Sequence, residues 1–90
     1  MVYLSVRHTV ADYAKWRVGF DAHASARRAA GATGTQHVYR DHENPNAILI
    51  TMEWDSAEKA RKFAQDPALK EVMDKAGVIS APEVHFLDPA

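Results

Sequence analysis

The 90-residue sequence predicts an α+β fold with the element order β-α-β-β-α-β. Three observations support this prediction. The chain begins and ends with short β-rich stretches, two segments between them repeat apolar residues at helical spacing, and an asparagine- and proline-rich turn separates two consecutive strands. Two split βαβ units of this kind form a four-stranded antiparallel sheet with the helices on one face, and right-handed crossovers give the strand order 4-1-3-2.

The chain starts with a strand that leads into a helix. Apolar and mostly polar side chains alternate over Val2–Arg7, as in a strand with one buried face. Thr9 and Asp12 have the spacing of a capping box, or Asp12 is itself the N-cap, so a helix begins there in either case. Gly31 follows an alanine-rich stretch and is suited to end this helix in the left-handed conformation.

The second and third strands are predicted to form a hairpin. The second strand covers about Thr33–Asp41, and the third covers Ala47–Trp54. The intervening segment, His42–Asn46, has turn chemistry because proline fixes φ and asparagine tolerates unusual backbone angles. No crossover separates the two strands, so they should be antiparallel neighbours.

The second helical region is predicted to lie in two pieces before the last strand. Asp55 and Glu58 have capping-box spacing, which places a helix start there. Asp66 and Pro67 interrupt the helix, and proline is well placed at the first position of a new one. The last strand covers Val84–Leu87. The complete arrangement is the ferredoxin-like fold.

Composition excludes several functional classes. Eleven basic and twelve acidic residues give a net charge of −1 without any block of like charge, which argues against a nucleic-acid or anionic-membrane surface. The absence of cysteine excludes disulfides, thiolate nucleophiles and cysteine-based metal sites. The longest apolar run, Ala47–Ile50, is too short for a membrane span, and the first residues lack the pattern of a signal peptide. We therefore expect one cytoplasmic domain over residues 1–90.

The sheet is expected to be apolar on both faces. The third strand places Ile48 and Ile50 on one face and Leu49 on the other, and the fourth places Phe86 and Leu87 on opposite faces. Helices cover only one face, so the second face needs another partner. A second copy of the chain is the economical partner and predicts a homodimer. A monomer with one apolar face is the alternative.

Three groups of residues carry a resemblance to a known family. They are the segment His8–Asp21, then Arg27–Gly31 with Tyr39–Asp41 and Asn44–Pro45, and the closing stretch from Glu53 to Pro82. Over nearly the whole chain they resemble the dimeric α/β-barrel superfamily, and in particular its antibiotic-biosynthesis monooxygenase-like and polyketide-cyclase-like members. The superfamily also includes isomerases and haem-degrading enzymes, so the resemblance bears on fold and dimer more than on one reaction.

The resemblance implies a ligand cavity in each protomer, between the sheet and the helices. Oxygenases of this kind use no metal or flavin. They remove a proton from an electron-rich phenolic or anthrone-like substrate, whose carbanion then reacts with oxygen itself. The cyclase-like members use a comparable acid–base step. The implied partner is therefore a small aromatic or polyketide-like molecule, and we expect no cofactor.

Among the five histidines, His23 is the first candidate for a catalytic base. It falls on or beside the helix face of Trp16 and Phe20 and should point toward the sheet or its rim. A packing histidine with one backbone hydrogen bond is an equal alternative. His8 alternates in step with the apolar residues of the first strand, so it should lie on the face that is turned to the helices. It is a candidate to assist His23 in proton transfer.

His37 and Tyr39 form a second candidate group. They share one face of the second strand, and a tyrosine beside a histidine can hold or pass a proton. If that face is turned to the helices, both residues line the pocket. If it is turned outward, both pack at the dimer interface, which is the slightly favoured orientation.

The candidate substrate-binding residues are three aromatic residues and one arginine. Trp16, Phe20 and Trp54 are candidates for stacking a flat ligand, although such residues more often form plain core. Arg40 is a candidate for binding a carboxylate or phenolate, or else it pairs with an acidic neighbour at the rim. His8 approaches the last strand near His85, but no third ligand has recognised spacing, so we expect no metal site.

The sequence thus favours a homodimeric, cofactor-free monooxygenase or cyclase acting by histidine-assisted proton transfer. A non-catalytic ligand-binding or interaction module is the alternative, and its cavity need not contain a histidine with a shifted pKa. Haem degradation is the weakest possibility. Haem-degrading relatives supply a histidine from the second helical region, and Pro67–Gly77 contains none.

Overall fold

Four strands and four helices make up the computed structural model, which describes residues 1–90. The strands are β1 (Val2–Thr9), β2 (Ala32–Arg40), β3 (Ala47–Trp54) and β4 (Glu83–Leu87). The helices are α1 (Tyr13–Ala22), α2 (Ala24–Ala30), α3 (Ala57–Ala64) and α4 (Pro67–Lys75). The sheet order is β2-β3-β1-β4, and every neighbouring pair is antiparallel. The predicted ferredoxin-like arrangement and strand order are confirmed.

One face of the sheet forms the core. Alternate residues of β1 and β3 are buried there, and they pack against Trp16 and Phe20 of α1 and Ala60 of α3. The most completely buried large side chains are Trp54, Leu4, Ile48 and Val10. No helix is long and apolar enough to cross a membrane.

The first helical region lies in two pieces, whereas the sequence predicted one continuous helix. His23 separates α1 from α2 with φ −91° and ψ 3°. The carbonyl of Phe20 accepts hydrogen bonds there from the His23 backbone N–H and from Nη1 of Arg27. The Arg27 side chain therefore satisfies a carbonyl at the interruption. As predicted, Gly31 ends α2 with a positive φ, at 126°.

The helix starts refine the predicted caps. Asp12 is the N-cap of α1, because its side chain accepts from the Lys15 backbone N–H. The predicted capping box beginning at Asp55 is wrong by one residue. Ser56 is the N-cap of α3, because its hydroxyl oxygen accepts a hydrogen bond from the backbone N–H of Lys59, three residues further along the chain.

A bulge interrupts the pairing of β2 with β3 but leaves the two faces of β2 unchanged. The register with β3 shifts between Ala32 and Gln36, where Gly34 has a φ of 99°. Beyond the shift, Val38 pairs with Ile50 and therefore lies on the core face. His37 pairs with Thr51, so it and Tyr39 lie on the outer face.

The outer face is more mixed than the sequence predicted. Leu49, Tyr39 and Leu87 are exposed apolar side chains there. Glu53, on the same face, accepts hydrogen bonds from the hydroxyls of Tyr3 and Thr33 at 2.9 and 2.8 Å. Hydrogen-bonded polar residues from β1, β2 and β3 thus lie beside the apolar residues of this face.

Candidate active site

An apolar cavity of about 120 Å³ lies between the core face of the sheet and the helices. Thirteen of its eighteen lining residues are hydrophobic, and the ionisable ones are His8, His23 and Arg27. Pro82 and Val84 also line it and are exposed, so the cavity reaches the surface beside β4. The chain therefore offers an apolar pocket with few polar groups, which is the usual character of a small-molecule site.

His8 is the most deeply buried ionisable group of this cavity. It is 4% exposed, and its pairing with Ile48 holds it on the core face of β1. Its Nδ1 has no hydrogen-bond partner, and its ring meets Trp16 edge-on with centroids 5.7 Å apart. Burial lowers the pKa of His8 below 6.5, and its own backbone opposes this more weakly. Burial therefore favours the neutral imidazole, which is the form that can accept a proton.

A row of contacting side chains along α1 and α2 connects His8 to Arg27. Trp16 stacks on Phe20 with centroids 4.9 Å apart and an interplanar angle of 24°. The guanidinium carbon of Arg27 lies 3.9 Å from the centroid of the Phe20 ring. All four residues line the cavity, so one wall carries a base at one end, two aromatic rings in the middle and a cation at the other end.

Arg27 is a site residue that the sequence analysis missed as a candidate. It is 4% exposed, and burial lowers the pKa of its guanidinium. Nη1 donates to the Phe20 carbonyl at 2.9 Å, whereas Nη2 has no partner. Its position could have indicated a role, because it lies seven residues after Phe20 on the apolar face of a helix. Arginine is rarely buried on such a face unless it has a specific partner.

His23 also lines the cavity, at the junction of α1 and α2. It is partly exposed, unlike His8, and its side chain makes no capping hydrogen bond. Four of the predicted site residues therefore line the same cavity: His8, His23, Trp16 and Phe20.

The other predicted site residues lie elsewhere. His37 and Tyr39 stack on each other on the outer face, with centroids 6.1 Å apart, and neither lines the cavity. Trp54 is fully buried in the core against Phe63 and is not a lining residue. Arg40 lies over the ring of Tyr13 at 3.9 Å and donates from Nε to a backbone carbonyl. Its place at the end of β2 keeps it outside the cavity.

His8 and His85 do not approach each other on one face. His85 pairs with Ser5 and lies on the outer face, whereas His8 lies on the core face. No group of three histidine, aspartate or glutamate side chains is arranged to hold a metal ion.

The fold and the site together define a small ferredoxin-like α+β protein with an apolar, histidine-containing cavity under its helices. No family sequence model matches the chain, and no curated protein matches it. Solved structures match it over nearly its whole length. One, from Bordetella bronchiseptica and assigned to the antibiotic biosynthesis monooxygenases, has a TM-score of 0.82 at 16% identity, covering 99% of this chain and 96% of its own.

Two Streptomyces proteins are similar in the same way. SnoaB from Streptomyces nogalater, a cofactor-independent oxygenase, has a TM-score of 0.72 at 19% identity and covers 99% of this chain and 92% of its own. The ActVA-Orf6 monooxygenase from Streptomyces coelicolor, in complex with nanaomycin D, has a TM-score of 0.68 at 17% identity, with coverages of 99% and 87%. The chain therefore has the fold of the antibiotic biosynthesis monooxygenase-like proteins, as its sequence resemblance predicted.

Proposed function

We propose that the chain is a homodimeric, cofactor-independent enzyme that removes a proton from an aromatic or polyketide-like substrate, in a monooxygenation or a cyclisation. The observation that carries the proposal is the buried His8 imidazole, whose Nδ1 is unpartnered, on the wall of an apolar cavity. A buried polar group without a partner is costly for stability and is therefore a sign of function. Two of the similar structures belong to oxygenases, one of which is cofactor-independent.

His8 acts as the base in this proposal, and His23 assists it. Their order is the reverse of the one predicted from the sequence, which favoured His23 as the base. His8 is preferred because its lowered pKa favours the unprotonated ring and because its side chain is buried in the apolar wall of the cavity. His23 is partly exposed, so it can exchange a proton with solvent after turnover.

The size of the cavity limits what it can enclose. An engineered apolar cavity of about 150 Å³ holds one benzene molecule, so the 120 Å³ cavity encloses about one aromatic ring. Trp16 and Phe20 supply the stacking wall for that ring. A larger polycyclic substrate would place its reacting ring inside and extend through the opening at Pro82 and Val84.

The monooxygenation balances without any further reductant. For anthrone as substrate, His8 takes a proton from the methylene carbon, and the resulting carbanion gives its electrons to O₂. One oxygen atom enters the ring carbon to give anthraquinone, and the other leaves as water together with the two hydrogens removed. The substrate is oxidised and oxygen is reduced, so no metal or flavin is needed.

The homodimer is proposed from the outer face of the sheet. Leu49 and Tyr39 are paired neighbours on that face and are exposed, at 36% and 53%. A second copy packed against this face would cover both side chains. The single domain over residues 1–90 would then form a dimeric α/β barrel from the sheets of two copies. A native mass of about 20 kDa, twice the 10.0 kDa of the chain, is expected, and Leu49→Lys should shift it toward 10 kDa.

Oxygen uptake with anthrone tests the function. Wild-type protein in buffer with a metal chelator should consume one O₂ per anthrone and produce anthraquinone above the uncatalysed rate. His8→Leu should lose most of this rate, and His23→Ala should reduce it. His42→Ala is the matched control, because His42 is exposed in the turn between β2 and β3 and should leave the rate unchanged.

Two results would contradict the proposal. Equal rates for wild type and His8→Leu would remove His8 from the chemistry. Binding of anthrone without proton transfer or oxygen uptake would favour the non-catalytic ligand-binding module instead.

A further inference from the structure

The cationic end of the cavity wall points to the chemical class of the ligand. Arg27 borders the cavity at 4% exposure, and no carboxylate of the chain forms a salt bridge with it. The acidic residue whose charge acts on it, Asp21, is hydrogen-bonded to Arg17 at 3.0 Å. An arginine stays charged even when buried, so this guanidinium is a buried cation without a bound counterion.

Hydrogen bonds within the chain satisfy only part of the Arg27 guanidinium. Nη1 satisfies the Phe20 carbonyl at the α1–α2 interruption, and the guanidinium lies over the Phe20 ring. A structural role needs no more than these two contacts. Nη2 remains buried without a partner, although it carries two N–H donors.

We propose that Arg27 binds the carboxylate of the ligand, so that the cavity selects a planar aromatic carboxylate over its neutral analogues. The inference deepens the proposed function by naming the class of its substrate. One guanidinium matches a single negative charge, and Arg27 is the only arginine or lysine among the lining residues, which favours a carboxylate over a dianionic phosphate. The row from His8 through Trp16 and Phe20 to Arg27 then holds the ring between the base and the anchoring cation.

The low polarity around Arg27 makes this discrimination strong. Charge-assisted hydrogen bonds are stronger than neutral ones, and a water-excluding site strengthens them further. A neutral amide of the same shape would leave the guanidinium charge uncompensated. We therefore expect a preference of about tenfold to hundredfold for the carboxylate.

Benzoate and benzamide are matched probes for this inference, because they share one ring and differ in charge. Calorimetric titration near pH 7.5 should show benzoate binding about tenfold to hundredfold more tightly to wild-type protein. Arg27→Met should bind both probes equally, and Arg27→Lys should keep part of the preference. Arg28→Met should keep all of it, since Arg28 is the exposed neighbour and does not line the cavity.

Several outcomes would overturn the inference. They are equal affinities of wild type for both probes, no binding of benzoate, and a full preference retained in Arg27→Met. The wild-type comparison stands even if Arg27→Met fails to fold. Binding requires neither oxygen nor turnover, so a benzoate preference in a protein that oxidises neither anthrone nor an anthrone carboxylate would refute the proposed function alone. Anthrone oxidation without a benzoate preference would refute this inference alone.

Discussion

Replacing His8 by leucine tests whether a neutral imidazole is buried at the cavity. Above about pH 7.5 neither the folded nor the unfolded chain protonates this histidine appreciably, so it contributes little to pH dependence there. Below that pH the unfolded chain takes up the proton first, because burial lowers the folded pKa. The unfolded state then binds more protons, and the free energy of unfolding falls as the pH falls.

The magnitude of this effect follows from linkage. One proton bound only by the unfolded state lowers the free energy of unfolding by at most about 1.4 kcal/mol at pH 5.5, relative to pH 7.5. His8→Leu should lack this loss. At pH 7.5 the variant should be at least as stable as wild type, because an unsatisfied buried polar atom costs about 1–3 kcal/mol and leucine removes it.

Urea unfolding followed by tryptophan fluorescence measures both quantities. Wild type and His8→Leu are compared at about pH 7.5, 6.5 and 5.5 at one protein concentration, since a dimer's stability depends on concentration. The other four histidines are common to both proteins, so their contributions cancel in the difference. A pH dependence that is the same in both proteins would show that the folded pKa of His8 is not lowered, and the argument for a buried neutral base would fail.

Three further substitutions test the packing around the site. Gly19→Ala should raise the melting temperature, because the new Cβ would lie 3.5 Å from the Cβ of Ala76, an ordinary contact distance, and alanine is more favourable than glycine in a helix by about 0.5–1 kcal/mol. Gly19 also lines the cavity, so the same methyl group should weaken benzoate binding. Gly31→Ala should lower the free energy of unfolding by about 1–3 kcal/mol in urea titrations, because φ is 126° and the Cβ would lie 2.6 Å from Cδ of Lys59; an unchanged midpoint would contradict this. Trp54→Ala should cost about 3–5 kcal/mol of stability because the residue is fully buried, and a change confined to ligand affinity would refute its assignment to the core.

The sequence predicted the fold well because its signals are local and strong. The alternation of β1, the turn at Asn44–Asn46 and the proline at the start of α4 each specify one element, and right-handed crossovers leave one strand order. The interruption at His23 was missed because its stabilisation is not local to one turn. It depends on a hydrogen bond from the Arg27 side chain to the Phe20 carbonyl, and the spacing of residues in the sequence does not predict this bond.

The candidate site was predicted only in part, for similar reasons. His8, Trp16 and Phe20 line the cavity because strand parity and helical spacing place them on faces directed to the core. His37 and Tyr39 lie outside the cavity because their face of β2 is turned away from the helices, and alternation within one strand does not show which of its two faces is turned inward.

Proton exchange at the methylene carbon of anthrone, measured by NMR in D₂O without oxygen, shows directly whether His8 removes a proton from a ligand in the cavity. It isolates proton removal, the step that monooxygenation and cyclisation share, from the later reaction with O₂. We predict that wild-type protein accelerates deuterium incorporation well above the buffer rate and that His8→Leu, while remaining folded, does not. Exchange at the buffer rate with wild-type protein, or equal acceleration by both proteins, would contradict the assignment of His8 as the base of this cavity.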